Sequence, residues 1–168
     1  NHLFHSLRHP FGWPTASREY QNILTLKALG LIVPEPVFHG ARRNAHGFEA
    51  VLVTEELSGF SALSDQTGLD LPARETLARE VGRILGILHN AHLQHSCLYG
   101  KHIMARWQDA MPEIALIDLE KLRRPALPWR AARHDLEQLK RHQFIWSESE
   151  WKLLEQSHKL NMRKEQDR

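Results

Sequence analysis

Two short stretches of the sequence carry the side chains that could do chemistry together. The first runs from His95 to His102 and contains the only cysteine of the chain, Cys97. The second ends in Asp118, sixteen residues after His102 and directly after the apolar run Ala115-Leu116-Ile117. Desolvating a lone carboxylate is costly, so an aspartate at the end of a buried strand must be paired or must coordinate a cation. Asp118 is therefore predicted to hold a metal ion.

The spacing of these stretches is that of a kinase catalytic loop. In that layout a loop residue orients the substrate hydroxyl, a side chain five residues later faces the metal ion, and an aspartate follows after a hairpin. Here the metal-facing side chain is His102 and the aspartate is Asp118. A hairpin between His102 and Asp118 lets one ion contact both. Because Mg²⁺ prefers oxygen ligands, His102 is expected to assist through a water molecule.

Other interpretations of these side chains stay open. Asp118 could be a structural turn residue, and a lone cysteine is most often a small buried apolar group. A nucleophilic Cys97 needs an activating base, and His95 points elsewhere if the segment is extended. A zinc site could use four residues of the loop, but their gaps of two, one and four residues match no common zinc spacing. Those four residues are His92, His95, Cys97 and His102.

The elements that must position these residues follow from periodicity and from turn residues. A helix is predicted from about Thr15, as its cap, to a left-handed stop at Gly30. A hairpin of residues 36–41 with residues 48–57 follows. A long helix with Pro72 in its first turn has an apolar stripe on one face. Two brief strands, at 102–106 and 114–119, precede a helix at 129–141, and Ser147 with Glu150 forms a capping box that starts a last helix. This order is α+β.

Composition excludes several classes of protein. A 168-residue chain with 42% hydrophobic residues can bury a core without cross-links, and a single cysteine allows no intrachain disulfide. No apolar run approaches the roughly 20 residues of a membrane span. The net charge of +2 does not require a nucleic-acid partner, and the aromatic residues are too scattered to form a base-stacking platform.

Motifs along nearly the whole chain resemble one known family. They are Arg18-Glu19-Tyr20 with Leu29-Gly30, Val33-Pro34-Glu35-Pro36-Val37, Val53-Thr54-Glu55-Glu56-Leu57, the stretch from Leu88-His89 to His102, and Leu116-Ile117-Asp118-Leu119-Glu120-Lys121. The chain resembles the lipopolysaccharide kinases, the Kdo/heptose kinases with a protein-kinase-like fold, and most closely their InaA-like branch. The resemblance implies a partial small strand-rich lobe at residues 1–57. A mainly helical lobe follows at 58–168, with a charged tail from about residue 161.

The resemblance also implies a role for individual residues. Glu19 stands where a helix glutamate pairs with a phosphate-holding lysine, and His102 replaces the usual metal-site asparagine. Asp118 matches the metal-binding aspartate, and Asp135 matches a helix aspartate that braces the catalytic loop. Cys97 occupies the position of the catalytic aspartate. The interlobe hinge that lines the adenine pocket matches Thr54, Glu55, Glu56 and Leu57.

The implied function is transfer of the γ-phosphate of ATP, with Mg²⁺, to a sugar hydroxyl of a lipid-linked or cell-envelope acceptor. The glycine-rich loop and its lysine are not found in this sequence, so the chain is expected to be a fragment of the kinase unit. The main alternative is a pseudokinase that binds a nucleotide or a partner without transfer, because a neutral thiol orients a hydroxyl poorly.

The family context implies a bacterial cytoplasmic protein near the inner face of the inner membrane, with peripheral membrane contact. A basic cluster after Asp118 suits an anionic sugar or lipid head group; it comprises Lys121, Arg123, Arg124, Arg130 and Arg133.

Overall fold

The first part of the chain is rich in strands. In a computed structural model, which describes residues 3–6, 9–45 and 47–162, strands β1 (Leu3–Ser6) and β2 (His9–Pro14) form an antiparallel hairpin. Helix α1 (Thr15–Ala28) follows it. A second antiparallel hairpin then pairs β3 (Pro36–Asn44) with β4 (Gly47–Thr54). The predicted pairing of this second hairpin is confirmed, whereas the β1–β2 hairpin was not predicted.

The second part is mainly helical. Strand β5 (Ser61–Ala62) leads through a short 3₁₀ turn to helix α2 (Leu71–Asn90). Strands β6 (Ile103–Gln108) and β7 (Met111–Leu116) form a hairpin, and the three-stranded sheet has the order β5-β6-β7. Helices α3 (Pro128–His142) and α4 (Glu148–Met162) complete the order. The predicted α+β arrangement is confirmed, and residues 163–168 of the predicted charged tail lie outside the described residues.

Local sequence accounts for most of the helix ends. Asp70 caps α2, because its carboxylate accepts a hydrogen bond from the Ala73 N–H, and Pro72 lies in the first turn. Gly30 adopts a φ of 73° just after α1, which a glycine does without steric cost. The predicted cap at Thr15 is wrong. Pro14 occupies the cap position without a side-chain hydrogen bond, and Thr15 is the first helical residue.

The core of the second part lies between α2 and α4. The predicted stripe on α2 is buried, and it comprises Leu77, Val81, Ile84, Leu85 and Leu88. Two glycines of α2 let the backbone of α4 approach closely. A Cβ atom on Gly82 would lie 2.3 Å from the Leu154 carbonyl oxygen, and one on Gly86 would lie 2.8 Å from the His158 carbonyl oxygen. The tight contact therefore depends on the absence of side chains at these two positions.

Two contacts connect α1 and its following segment to the second part. The Leu116 N–H donates a hydrogen bond of 3.0 Å to the Ile32 carbonyl, in an isolated bridge beside β7. The Asn22 amide donates one of 2.7 Å to the Leu119 carbonyl, directly after Asp118. The first contact fixes the end of β7 against the segment that follows α1, and the second fixes the residue after Asp118 against α1. Asp118 therefore lies close to Glu19. None of the helices in the described part of the chain has the length and apolarity of a membrane span.

Candidate functional site

Asp135 on α3 fixes the loop that precedes β6. Its carboxylate is 0% exposed and accepts hydrogen bonds from two backbone N–H groups, 2.6 Å from His95 N and 3.0 Å from Ser96 N. Ser96 has a φ of 69°, so the loop turns sharply at this point. In the sequence, Asp135 matched a helix aspartate that braces the catalytic loop. A buried carboxylate that receives two backbone N–H groups holds the loop in one conformation.

The same carboxylate also takes part in a buried series of hydrogen bonds with two histidines, His89 and His158, which the sequence analysis did not predict. Its Oδ2 lies 3.2 Å from His89 Nε2, and His89 Nδ1 lies 2.8 Å from Nε2 of His158 on α4. Burial raises the pKa of Asp135, but hydrogen bonds from His89, His95 and His134 outweigh it and hold that pKa below its usual value. Burial, with His89 and Lys159 adding to it, lowers the pKa of His158 to about 3. His158 is therefore neutral at pH 7. Positions 69 residues apart give no sequence signal for such a contact.

His102 and Asp118 lie side by side, as predicted. His102 Nε2 lies 3.2 Å from Asp118 Oδ2, and His102 Nδ1 lies 2.7 Å from the carbonyl oxygen of Cys97. Asp118 adopts a left-handed backbone with φ 58° and ψ 55°, a conformation that is uncommon for residues other than glycine. The hairpin of β6 and β7 brings the two residues together.

The hydrogen bonding of His102 tests whether a divalent cation fits. The Cys97 carbonyl can only accept, so His102 Nδ1 carries the hydrogen. In the neutral ring Nε2 then presents a lone pair to a carboxylate oxygen. Two facing acceptors need a positive charge, supplied by a proton on Nε2 or by a metal ion. A histidine whose other nitrogen donates to a carbonyl is the usual arrangement in metal sites. These two residues therefore fit a divalent cation that takes its other ligands from phosphate oxygens and water.

The zinc alternative has no support from the geometry. His92, with a φ of 58°, is exposed at the end of α2, whereas His95 is buried and its Nε2 contacts the Ile117 carbonyl at 3.0 Å. Burial is the main cause that lowers the pKa of His95, so this ring is neutral. In the described ranges, no group of three or more His, Cys, Asp or Glu side chains is placed to hold a metal ion.

A lysine, Lys121, lies beside Cys97. The proximity of Cys97 raises the pKa of Lys121. Lys121 Nζ also lies 3.8 Å from a Glu120 carboxylate oxygen. The sequence analysis placed Lys121 in a basic cluster but gave no sign of this contact. A cation at the position of the expected catalytic acid favours a negatively charged group there, either a thiolate or a substrate oxygen.

Glu19 lies against the backbone that follows Asp118. Its half-buried carboxylate accepts a hydrogen bond from the Leu119 N–H. Burial is the largest cause that raises the pKa of Glu19, and the charges of Asp118 and Glu120 raise it further. Within the residues that the structure describes, Glu19 has no ion pair with a lysine. Glu19 also lines a cavity of about 380 Å³ between α1 and β4.

The predicted hinge residues follow β4. Glu55 and Glu56 are exposed, whereas Leu57 is half-buried. The Glu55 N–H donates a hydrogen bond of 2.8 Å to the Glu35 carbonyl, which ties the segment to the start of β3. The side chains of Glu55 and Glu56 face solvent. A contact of this segment with an adenine ring would therefore come from its backbone.

Sequence comparison finds relatives over nearly the whole chain. The sequence model of the lipopolysaccharide kinase (Kdo/WaaP) family matches residues 1–157. Protein InaA of Escherichia coli (strain K12) is 33% identical over 157 residues, which cover 90% of this chain and 72% of InaA.

Two solved structures resemble the fold. WaaP in complex with acyl carrier protein matches with a TM-score of 0.75 at 23% identity, over 86% of this chain and 66% of WaaP. The Rio2 kinase of Chaetomium thermophilum, in an ADP/Mg²⁺-phosphoaspartate complex, matches with a TM-score of 0.56 at 16% identity, over 91% of this chain and 54% of Rio2. The predicted kinase-like fold is thereby confirmed. The chain spans about two thirds of the WaaP chain and about half of the Rio2 chain.

Proposed function

Because this chain belongs to the lipopolysaccharide kinase (Kdo/WaaP) family, we propose that it is an atypical kinase. It transfers the γ-phosphoryl group of ATP to a sugar hydroxyl of a lipid-linked or cell-envelope acceptor. The observation that carries this proposal is the pairing of Asp118 Oδ2 with His102 Nε2 at 3.2 Å, beside a loop that Asp135 holds in place. That pairing provides a carboxylate and an imidazole nitrogen for one divalent cation.

Each residue of the proposed site has a defined task. Magnesium, when bound, neutralises charge on the phosphate groups. Asp118 and His102 would hold it, and the Cys97 carbonyl keeps the His102 ring oriented with its Nε2 toward Asp118. Asp135 positions the loop through the N–H groups of His95 and Ser96. Glu19 fixes the backbone at Leu119. The segment of Glu55, Glu56 and Leu57 is proposed to contact the adenine.

Cys97 makes the proposed transfer slow. Phosphoryl transfer depends mainly on positioning and on charge stabilisation, so the loss of a carboxylate base reduces the rate without abolishing it. General base catalysis contributes roughly 10²- to 10⁴-fold. A cysteine in place of the carboxylate lacks most of that contribution, and the Lys121 ammonium beside it attracts the oxygen of an acceptor hydroxyl.

A second candidate function is that of a pseudokinase. The position of Lys121 beside Cys97 favours it, because an ammonium lies in the region in which a catalytic carboxylate would act. In this case the protein binds a nucleotide at Asp118 and His102 but transfers no phosphoryl group. In either case we place the protein in the bacterial cytoplasm, close to the inner face of the inner membrane, where a lipid-linked acceptor is available.

Calorimetric titration of Mg·ATP into the full-length protein tests the nucleotide site. We expect magnesium-dependent binding that Asp118→Asn loses. Asp109→Asn is the matched control, because Asp109 has the same left-handed backbone, with a φ of 54°, but lies exposed at the β6–β7 turn. No binding by the wild-type protein, or equal losses in both variants, contradicts the proposal.

Phosphoryl transfer to a glycolipid extract then separates the two candidates. For the atypical kinase, radiolabel from γ-labelled ATP appears slowly with the wild-type protein and at least about 100-fold faster with Cys97→Asp. For the pseudokinase, both proteins bind the nucleotide and neither labels the extract.

A further inference from the structure

A basic cleft lies where α3 begins, apart from Asp118 and His102. It has a volume of about 730 Å³, which is in the range of small-molecule sites. Its lining includes Arg123, Arg124, Arg130 and Arg133, together with Trp129. Only one carboxylate lines it, that of Glu137, which pairs with Arg133 at 2.9 Å. The cleft therefore carries a net positive charge.

Three of these arginines have no carboxylate partner within the described residues. Arg124 donates to the Ala91 carbonyl at 2.7 Å, and Arg130 lies over the Trp129 ring at 5.2 Å. Arg123 donates a long hydrogen bond of 3.5 Å to the Gln94 side chain. Neutral partners leave the guanidinium charges uncompensated, so an anion in the cleft gains charge-assisted hydrogen bonds without breaking an existing ion pair.

Gln94 provides an independent sign of a ligand. It lines the cleft, is only 2% exposed, and its Nε2 has no hydrogen-bond partner in the described part of the chain. Both of its backbone groups are already bonded to Arg123. Because Oε1 accepts from Arg123, the amide is oriented with Nε2 as the free donor. A buried donor without a partner destabilises the protein, unless a ligand accepts its hydrogen.

The start of α3 adds to the positive potential. Its cap position, Leu127, makes no side-chain hydrogen bond, and the first turn contains no acidic residue. No negative charge compensates the positive end of the helix dipole, and Arg130 in the same turn increases the positive potential there. Such a helix end favours a bound phosphate.

We propose that this cleft binds the phosphate group of a small phosphorylated molecule, with Gln94 Nε2 and Arg130 as ligands of the phosphate oxygens. Leu127 and Trp129, which are 42% and 56% exposed, contact the sugar ring or another apolar part of the molecule. Binding requires neither nucleotide nor magnesium, so this site is independent of the phosphoryl transfer proposed above. A free phosphorylated sugar and a lipid phosphate head group share this chemistry.

Calorimetry in magnesium-free buffer without nucleotide tests the cleft, with glucose 6-phosphate as the probe and glucose as its uncharged match. We expect glucose 6-phosphate to bind and glucose not to bind. Arg130→Gln lowers the affinity about tenfold. Arg141→Gln, which removes the same charge from the other end of α3, leaves it unchanged. Sedimentation with phosphatidylglycerol vesicles, against phosphatidylcholine vesicles, tests the lipid head group with the same variants.

Gln94→Met separates binding from folding. Methionine keeps the volume and removes the unpaired amide, so the thermal midpoint should rise while the affinity for glucose 6-phosphate falls about fivefold. If the protein binds phosphatidylglycerol vesicles but not glucose 6-phosphate, and the variants weaken that vesicle binding, the phosphate in the cleft belongs to a lipid. The proposal is overturned if neither anionic probe binds, if the two arginine variants lose affinity equally, or if Gln94→Met binds the probes as the wild type does. Asp118→Asn retains probe binding, so failure of the nucleotide site and failure of this cleft are distinguishable.

Discussion

His89 Nδ1 and His158 Nε2 lie 2.8 Å apart in the interior, and this hydrogen bond joins α2 to α4. Through the other nitrogen of His89 it reaches Asp135 on α3, which in turn holds the N–H groups of His95 and Ser96. Three helices thus meet at the loop that carries Cys97. The stability of this network determines how firmly the proposed site is held.

The neutral state of His158 predicts a loss of stability in mild acid. Its pKa is about 3 in the folded protein and about 6.5 in the unfolded chain. Between these values the unfolded chain binds the extra proton, so the free energy of unfolding decreases as the pH falls below about 6.5. From pH 7 to pH 5 this one group accounts for about 2 kcal/mol. Urea denaturation at the two pH values measures it.

His158→Gln is the variant that isolates this effect. A glutamine amide can still form a hydrogen bond with His89 Nδ1, but it does not titrate, so the loss between pH 7 and pH 5 should shrink by about 2 kcal/mol. His142→Gln, at an exposed histidine, should leave the loss unchanged. Equal pH dependence in the wild type and His158→Gln would show that His158 is not buried in its neutral form.

Asp135→Asn should loosen the loop. An asparagine offers one acceptor oxygen in place of two, so one of the two backbone N–H groups at His95 and Ser96 loses its partner. The expected decrease in the free energy of unfolding is about 2 to 4 kcal/mol. Hydrogen exchange should become faster at those two amides in particular. Asp109→Asn serves as the control, and unchanged exchange at His95 and Ser96 would contradict the bracing role.

Gly82→Ala tests the close approach of α2 and α4. The added Cβ would lie 2.3 Å from the Leu154 carbonyl oxygen, so α4 must shift. Overpacking costs about 1 to 3 kcal/mol or more, and because this clash is with backbone its cost should lie above the roughly 1 kcal/mol that alanine gains over glycine in a helix. We expect a net loss in the free energy of unfolding, measured by urea denaturation. Arg83→Ala, one position further along, should change stability by much less, and a stabilised Gly82→Ala would disprove the close packing.

The imidazole at position 102 predicts a preference among metal ions. Nitrogen ligands favour Mn²⁺ over Mg²⁺, whereas sites made of oxygen ligands alone discriminate less. The protein should therefore bind Mn·ATP several-fold more tightly than Mg·ATP in calorimetric titrations. In His102→Asn this ratio should fall toward one. An unchanged ratio in the variant would mean that His102 does not contact the ion.

Local signals predicted the elements well, because each depends on neighbouring residues. Ser147 and Glu150 form the expected capping box, with the Ser147 N–H donating to Glu150 Oε2 at 2.8 Å. The alignment of His102 with Asp118 was also predictable, since a hairpin brings its two ends together. The β1–β2 hairpin was missed because His9, Pro10 and Gly12 interrupt any alternation of polar and apolar residues.

The contacts that were missed are non-local. Lys121 lies beside Cys97 although 24 positions separate them, and the backbone of the buried Gln94 pairs with Arg123, which follows Asp118. Neither contact leaves a pattern in the spacing of residues, because side-chain position across a loop is set by the packing of the surrounding helices. The sequence therefore predicted the motif of the loop, but it did not predict the positive charge of Lys121 beside Cys97.

The hydrogen bond between α2 and α4 also bears on the order of events during synthesis. His89 and His158 are separated by 69 residues, so the ribosome exposes α2 seconds before the partner of His89 emerges. During that interval the loop of Cys97 lacks part of its support, and Gly82 and Gly86 present an uncovered groove. Docking of α4 therefore completes the support of this loop, because only then can His158 form its hydrogen bond with His89.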